Sequence, residues 1–504
     1  MGNSLVRNCL SQLSAAVVLV CFIPVWATGV AERREHPVQG RTLYVSPKGS
    51  PTGDGSSDKP LDVFTALSDK GPAKPGDTIL LTGGVYDGKM TGTSRVPFEL
   101  SVSGSATNPV KIMPAPGESA HLNGTVLVTS SYAQFINLDI GDLSWDPTQK
   151  QHQTAAALDA RGGKGAKFIN CNFFGGSQGA ATWTAAEDLE IYGSLIHDFG
   201  TVEETGRGHG HAWYAQNKAG TKVFASNIAY RGYGWNVHIY TQEGDIEGFE
   251  IIDNICFIAG ALKPDQTVDN YLISGYRPAN RIRMVGNLGY QPSNLDKWRP
   301  NARLSSYGEA SNGTAVFKDN YLMGAPIGLL VGLWNDVTVE GNTLWAFDAL
   351  VDVSGVATPG ANYKFDKNTY IANGVKEPFK VRGGNLTFEK WQALGFDRGG
   401  SLVQRPGGRP EGTRVFVVPN RHQKGRANVG VFNWDGKSEV TVDLSSVLSK
   451  GQKFKVYNCL DIKQTISMAK PILELTYTGS AITIPMRRDK VSPQFESLLV
   501  VPVS

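Results

Sequence analysis

The chain reads as an all-β protein: a parallel β-helix, a single-stranded solenoid of stacked coils, followed by a small C-terminal antiparallel β-sandwich. Three observations predict this. Short alternating strands recur through the middle of the chain, each ending at an asparagine. The composition favours turns over long helices, with 58 Gly, 26 Pro and only 19% charged residues. After Gly399 the pattern changes to separate strands divided by turn signals. At 504 residues the chain exceeds one ordinary core, so a long repetitive domain with an appended one fits its length.

The repeat is visible in FINCNFF, VFASNIAY, EIIDNICF, RMVGNLGY, VFKDNYLM, VTVEGNTLW and YKFDKNTYI. Their asparagines, Asn172, Asn227, Asn254, Asn287, Asn320, Asn342 and Asn368, are spaced by 55, 27, 33, 33, 22 and 26 residues. The segment LEIYGSLIHD places Ser194 in the Asn position and divides the first gap. Periods of this size mark solenoids, and the absence of helical periodicity selects a β-helix. No coil can bury its inner face alone; stacked coils close one continuous core. An asparagine tolerates the left-handed bend between two strands, and its amide can bond to the asparagine of the next coil.

The N-terminus carries Arg7, the apolar run Ala15–Trp26 and small residues beyond it. That order describes a secretory signal, placed at residues 1–31, in a run too short to span a bilayer comfortably. The mature protein is expected to be secreted or periplasmic, with no membrane association once the signal is removed. Cys171, Cys256 and Cys459 then remain, an odd number that cannot complete a disulfide framework. Cys171 and Cys256 lie three coils apart, roughly 14 Å at ~4.8 Å per strand, beyond the ~7 Å reach of a disulfide. A net charge of +3 gives no global case for nucleic acid.

The opening TLYVSPKGSPTGDGSSDKPLDVFTAL, with KPGDTILLTGGVYDG after it, resembles the start of secreted right-handed parallel β-helix proteins of the pectate-lyase-like superfamily. HAWYAQN, GYGWNVHIY and LTFEKWQALGFD resemble bacterial members of the same group. The resemblance covers most of residues 41–400. It implies a first strand, a capping helix and a right-handed coil, on a scaffold that hosts lyases, hydrolases, epimerases and binding proteins. The β-helix is accordingly placed at 41–395, a Gly/Pro-rich linker at 396–412 and the sandwich at 413–504.

RGHGHAWYAQN concentrates His209, His211, Trp213 and Tyr214, and four of the chain's eight histidines (His197, His209, His211, His238) fall close together. Matching Tyr214 with Tyr240 and Gln216 with Gln242 stacks two strands on adjacent coils. Alternation in NVHIY buries Val237 and Ile239 and turns Asn236, His238 and Tyr240 outward, whereas His211 and Trp213 fall on inward positions unless the Gly208–Gly210 bend resets the phase. The insertions point to the same face. The one at 276–303 carries Arg277, Arg281, Arg283, Lys297, Arg299 and Arg303 against Asp296 alone. Rings stack on pyranoses and arginines grip carboxylates, so the expected ligand is an anionic polysaccharide or oligosaccharide. His209, Trp213, Tyr233, Trp235, Asn236, Lys263, Tyr276 and Arg303 are its candidate binding residues.

Three chemistries can use these residues. β-Elimination from a uronic-acid glycan needs a base (His238 or His211), an acid (Tyr240 or Tyr214) and a cation for the carboxylate (Arg277 or Lys263). Hydrolysis needs two carboxyls, for which Glu243, Asp245, Asp265 and Asp269 are available. A divalent metal on His209, His211 and His238 is a third arrangement, not favoured because alternate histidines are common by chance. Elimination is the preferred reading, with no cofactor and a monomeric enzyme; a non-catalytic glycan-binding or adhesin role is the plain alternative.

Overall fold

The computed structural model describes residues 40–503 apart from 92–93, 96, 147–155, 203–205, 241–243, 264–267, 274, 293–298, 306–310, 356–361 and 488. The proposed signal segment therefore lies outside the described residues, among which no helix is long and apolar enough to cross a membrane.

Three sheets of 12 strands each form the solenoid, and the chain visits them in turn, coil after coil, as a right-handed parallel β-helix. The first sheet runs from Thr42–Ser50 to Asn362–Asp366, the second from Gly84–Asp87 to Ser401–Val403, and the third from Phe98–Leu100 to Gly384–Leu386. Pairing is parallel except at the closing edge, where Phe379–Val381 meets Gly384–Leu386 antiparallel. The helix Val63–Ala66 begins behind Asp62, whose carboxylate accepts from the N–H groups of Phe64 and Thr65. At the other end the helix Phe388–Ala393 buries Trp391. The last solenoid strand, Ser401–Val403, continues the second sheet into the segment expected to be linker.

The bend from the first sheet to the second carries the asparagine ladder, in a form that corrects the sequence reading. The residue before the ladder position takes the left-handed conformation: Ser226, Asp253 and Asp319 have φ of 53°, 54° and 55°. The next residue then bonds along the stack. Asn254 donates from both its backbone N and its Nδ2 to Asn287 Oδ1, at 3.0 Å each. Asn287 repeats this on Asn320, and Asn342 on Asn368. Asp397 closes the ladder by accepting from Asn368. Below Asn227 the ladder passes through Ser194 to Cys171, not to Asn172. Asn172 stands one position further on, bonded to Asp139 and His197. The ladder answers where these buried bend amides go; inside the coils no water is available to them.

Apolar stacks such as Phe135–Phe168 and Trp213–Phe224, each with centroids 4.6 Å apart, fill the core. Cys171, Cys256 and Cys459 are all buried and free, as the coil spacing requires for the first two.

The C-terminal region forms a five-stranded antiparallel sheet in the order Thr413–Pro419, Ala427–Asn433, Phe495–Pro502, Lys453–Asn458, Leu473–Thr476. A two-stranded sheet of Glu439–Val442 and Ile482–Pro485 packs on it through Val440, Val442 and Ile484. Leu473–Thr476, an exposed edge strand, was not among the strands read from the sequence, although LELT alternates apolar with polar residues. The sandwich covers the outer face of the second sheet, where Tyr230, Phe257, Tyr290 and Tyr321 meet Phe432, Leu460, Phe495 and Leu499. The outer face of the third sheet, around the His238 strand, remains open.

Candidate active site

The site lies on that open face, under loops that leave the second sheet and enter the third. Register sets its geometry: Trp213 pairs with Val237, Tyr214 with His238 and Ala215 with Ile239. This is two residues off the expected alignment of Tyr214 with Tyr240. The observed pairing turns Tyr214 and His238 outward side by side, and the same row continues to Leu272 and Arg303.

A cleft of about 510 Å³ opens over this row. Among the residues lining it are His209, His211, Tyr214, Trp235, His238, Tyr240 and Tyr276, all foreseen, with Trp183, Gln178, Arg207 and Arg299, which were not assigned to the site. His211 and His238 are joined ring to ring, Nε2 to Nδ1, at 2.9 Å. Trp235 and Tyr240 stack on His238 at 4.9 and 5.0 Å, and Tyr214 stacks on His211 at 5.5 Å. His209 belongs to a hairpin in which Gly208–His209 pairs with Thr201–Val202, and its ring lies 5.3 Å from His211. Gly234 permits this closeness: a Cβ there would stand 1.9 Å from the Gly210 carbonyl oxygen and 3.2 Å from His211 Nδ1.

Burial, reinforced by the positive field of His209, Arg207 and Arg303, pushes His238 down to about 3. Burial and the neighbouring His238 hold His211 well below its ordinary range. Both rings are therefore neutral at neutral pH, one donating to the other. Burial raises the Tyr214 hydroxyl, which keeps its proton and accepts from Gln216 Nε2 at 3.3 Å. That leaves the Tyr214 O–H available to a ligand.

Several expected residues fall elsewhere. Trp213 is fully buried; its ring stacks in the core and its Nε1 donates to Thr182. His211 does the opposite of its expected inward turn, because the Gly210 bend, with φ 117°, resets the alternation. Asn236 is buried in a second ladder, donating to Asn270, which donates to Asn301. Tyr233 is 4% exposed, packed beside Gly200 and outside the cleft lining. Arg277 is exposed in the turn after Tyr276, and neither it nor Lys263 lines the cleft. Arg303 occupies the outward row but its Nε is bound by the buried Asp269 at 2.9 Å, which ties it down behind Leu272. Glu243 and Asp265 lie outside the described residues, and Asp245 is exposed away from the lining.

His197, the fourth histidine of the cluster, lies on the second sheet beneath the sandwich. Its ring nitrogens bond Asp198 and Asn172. Among the described residues no group of three or more His, Cys, Asp or Glu is placed to hold a metal ion.

No family model matches the chain. A stretch of 48 residues is 48% identical to pectate lyase L of Thermoclostridium stercorarium; it covers 10% of this chain and 4% of that protein's length. Among solved structures, pectate lyase Pel9A is similar over 74% of this chain and 82% of its own, at 13% identity and a TM-score of 0.46. A mannuronic acid specific family 6 polysaccharide lyase from human gut microbiota is similar over 73% of this chain and 92% of its own, at 13% identity and a TM-score of 0.44. A lacto-N-biosidase from Eubacterium ramulus is similar over 73% and 67%, at 13% identity and a TM-score of 0.37. These likenesses concern the architecture of the chain and say nothing of its reaction.

Proposed function

We propose that the protein is an exported, monomeric carbohydrate-active enzyme that cleaves an acidic polysaccharide by β-elimination. The observation that carries this reading is the joined, neutral His211–His238 pair facing a cleft whose charged lining is Arg207 and Arg299. Among the described lining residues there is no carboxyl group, so the chemistry that fits them is proton abstraction beside a bound anion. Hydrolysis would draw its acids from elsewhere.

Arg299 and Arg207 neutralise the uronate carboxylate and so acidify the C–H bond next to it. With its Nδ1–H donated to His211, His238 presents the lone pair of Nε2 and removes that proton. The electron pair forms the new C=C bond as the neighbouring C–O bond breaks. Tyr214 supplies the proton to the departing oxygen. The negative charge of the bound substrate opposes the cationic field that depresses His238, and thereby raises its basicity when substrate is present. Trp183, Trp235 and Tyr276 offer rings for the flanking sugars.

The test is incubation with a panel of uronate and neutral polysaccharides, following the ultraviolet absorbance of the unsaturated product and new reducing ends together. Absorbance rising with reducing ends is expected. Ends without absorbance would replace elimination with hydrolysis; binding without either would make the protein an adhesin-like glycan binder.

A further inference from the structure

A second cavity, of about 350 Å³, lies where the second sheet, the connector and the sandwich meet. Its wall includes Trp345 and Phe347 from the solenoid, Trp434 and Gln494 from the sandwich and Arg409 from the connector. The rings are set at angles: Trp345 lies 5.4 Å from Trp434 and 4.8 Å from Phe347, edge to face in both cases. Phe347 is 38% exposed, a large apolar side chain left open to solvent. Gln494 is fixed through its Oε1, which accepts from the buried Tyr290 hydroxyl at 2.5 Å. Trp345 is fixed by donating from Nε1 to the Gly408 carbonyl at 3.0 Å.

Arg409 is the telling residue. It is exposed at the rim of the wall and makes no ion pair or side-chain hydrogen bond among the described residues. Its neighbours are satisfied: Glu411 is held by Arg405 at 2.8 Å, and Arg414 lies over the Tyr321 ring at 4.9 Å. An unpaired guanidinium beside three aromatic rings and a fixed amide matches an acidic sugar, whose carboxylate takes the fork and whose ring takes the aromatic face.

We infer that this junction is a second, non-catalytic binding site for an acidic saccharide unit, distinct from the cleft on the third sheet. It requires both domains, which gives the sandwich a part in ligand binding beyond covering the second sheet. The ligand class is read from the pocket's own residues and agrees with, but does not rest on, the reaction proposed for the cleft.

The experiment is calorimetric titration of the His238→Ala protein with oligogalacturonate and with its carboxyl-reduced, neutral counterpart. Two binding events are expected for the acidic probe. Arg409→Gln should weaken one about tenfold, and Arg299→Gln the other. Binding that resists Arg299→Gln but falls with Arg409→Gln upholds the junction site even if the cleft prefers another substrate. An isotherm unchanged by Arg409→Gln, equal binding of the neutral probe at the junction, or no binding of the acidic probe overturns it. Thermal melts of each variant exclude misfolding as the cause.

Discussion

Two neighbouring faces of one solenoid stack histidine against aromatic rings, and they differ in what lies over them. On the second sheet His197 is fully buried under the sandwich, and both its ring nitrogens are bonded. Asp198 next to it is gripped by Arg231, whose Nη1 and Nη2 also donate to the Leu460 and Ile462 carbonyls of the sandwich. On the third sheet His211 and His238 bond to each other and face a cleft with Arg299 on its wall. The covered face spends its polar groups on docking a domain, while the open face keeps donors and acceptors for a ligand. Residue type alone does not separate structure from chemistry here; what covers the residue does.

That contrast is sharpest if the two faces fail differently. His238→Ala should lower turnover per folded molecule by about a thousandfold, as read by the elimination assay with the folded fraction taken from a thermal melt. Arg231→Met should do the reverse. It leaves the Asp198 carboxylate buried without its partner, at a cost of about 3 kcal/mol in denaturant unfolding, while turnover per folded molecule stays at the parental value. Should Arg231→Met abolish turnover of fully folded protein, the division between the faces would be wrong.

The ladder that both faces share offers a smaller effect. Asn287→Ala strips the Asn254 backbone N–H and Nδ2 of their acceptor and should cost about 2 kcal/mol, again by denaturant unfolding. A further effect is in pH. His238 stands at about 3 in the folded chain against an ordinary 6.5. As pH falls below 6.5 the unfolded chain therefore takes up protons that the folded chain refuses, and stability declines until about pH 3. The contribution should exceed about 1 kcal/mol, and the double variant His211→Asn/His238→Asn should flatten that part of the stability–pH curve. A curve of unchanged slope would mean that the pair takes up protons in the fold just as it does in the unfolded chain.

How much of this was readable in the chain follows from what each feature depends on. The coil repeat was legible because a buried bend amide restricts the residue that can satisfy it, so asparagine recurs. Its lowest copies were misplaced because FINCNFF holds Asn170 and Asn172 on either side of Cys171, and Cys171 occupies the ladder position. The outward turn of His238 came from local alternation and was legible for the same reason. The two-residue error in matching Tyr214 arose because long loops separate the strands, and no local rule carries register across a loop. Trp183 ends a different strand segment and Arg299 enters from a loop, so their approach to His238 is a property of the winding, not of any short stretch. Asn236 looked like a ligand-binding residue and is a ladder member; the second ladder has only three asparagines, too few to show a period.

The asparagine ladder also has a consequence for how this molecule can change. From Cys171 to Asp397 each coil is clamped to the next at this bend, whether the interval is 22 residues, as between Asn320 and Asn342, or 33, as between Asn254 and Asn287. The clamp works like the spine of a book, holding pages of unequal width in alignment. Residues can be added at the opposite corner without shifting any strand past its neighbour. The wall of the cleft is thus free to be rewritten while the row bearing Tyr214 and His238 stays where it is.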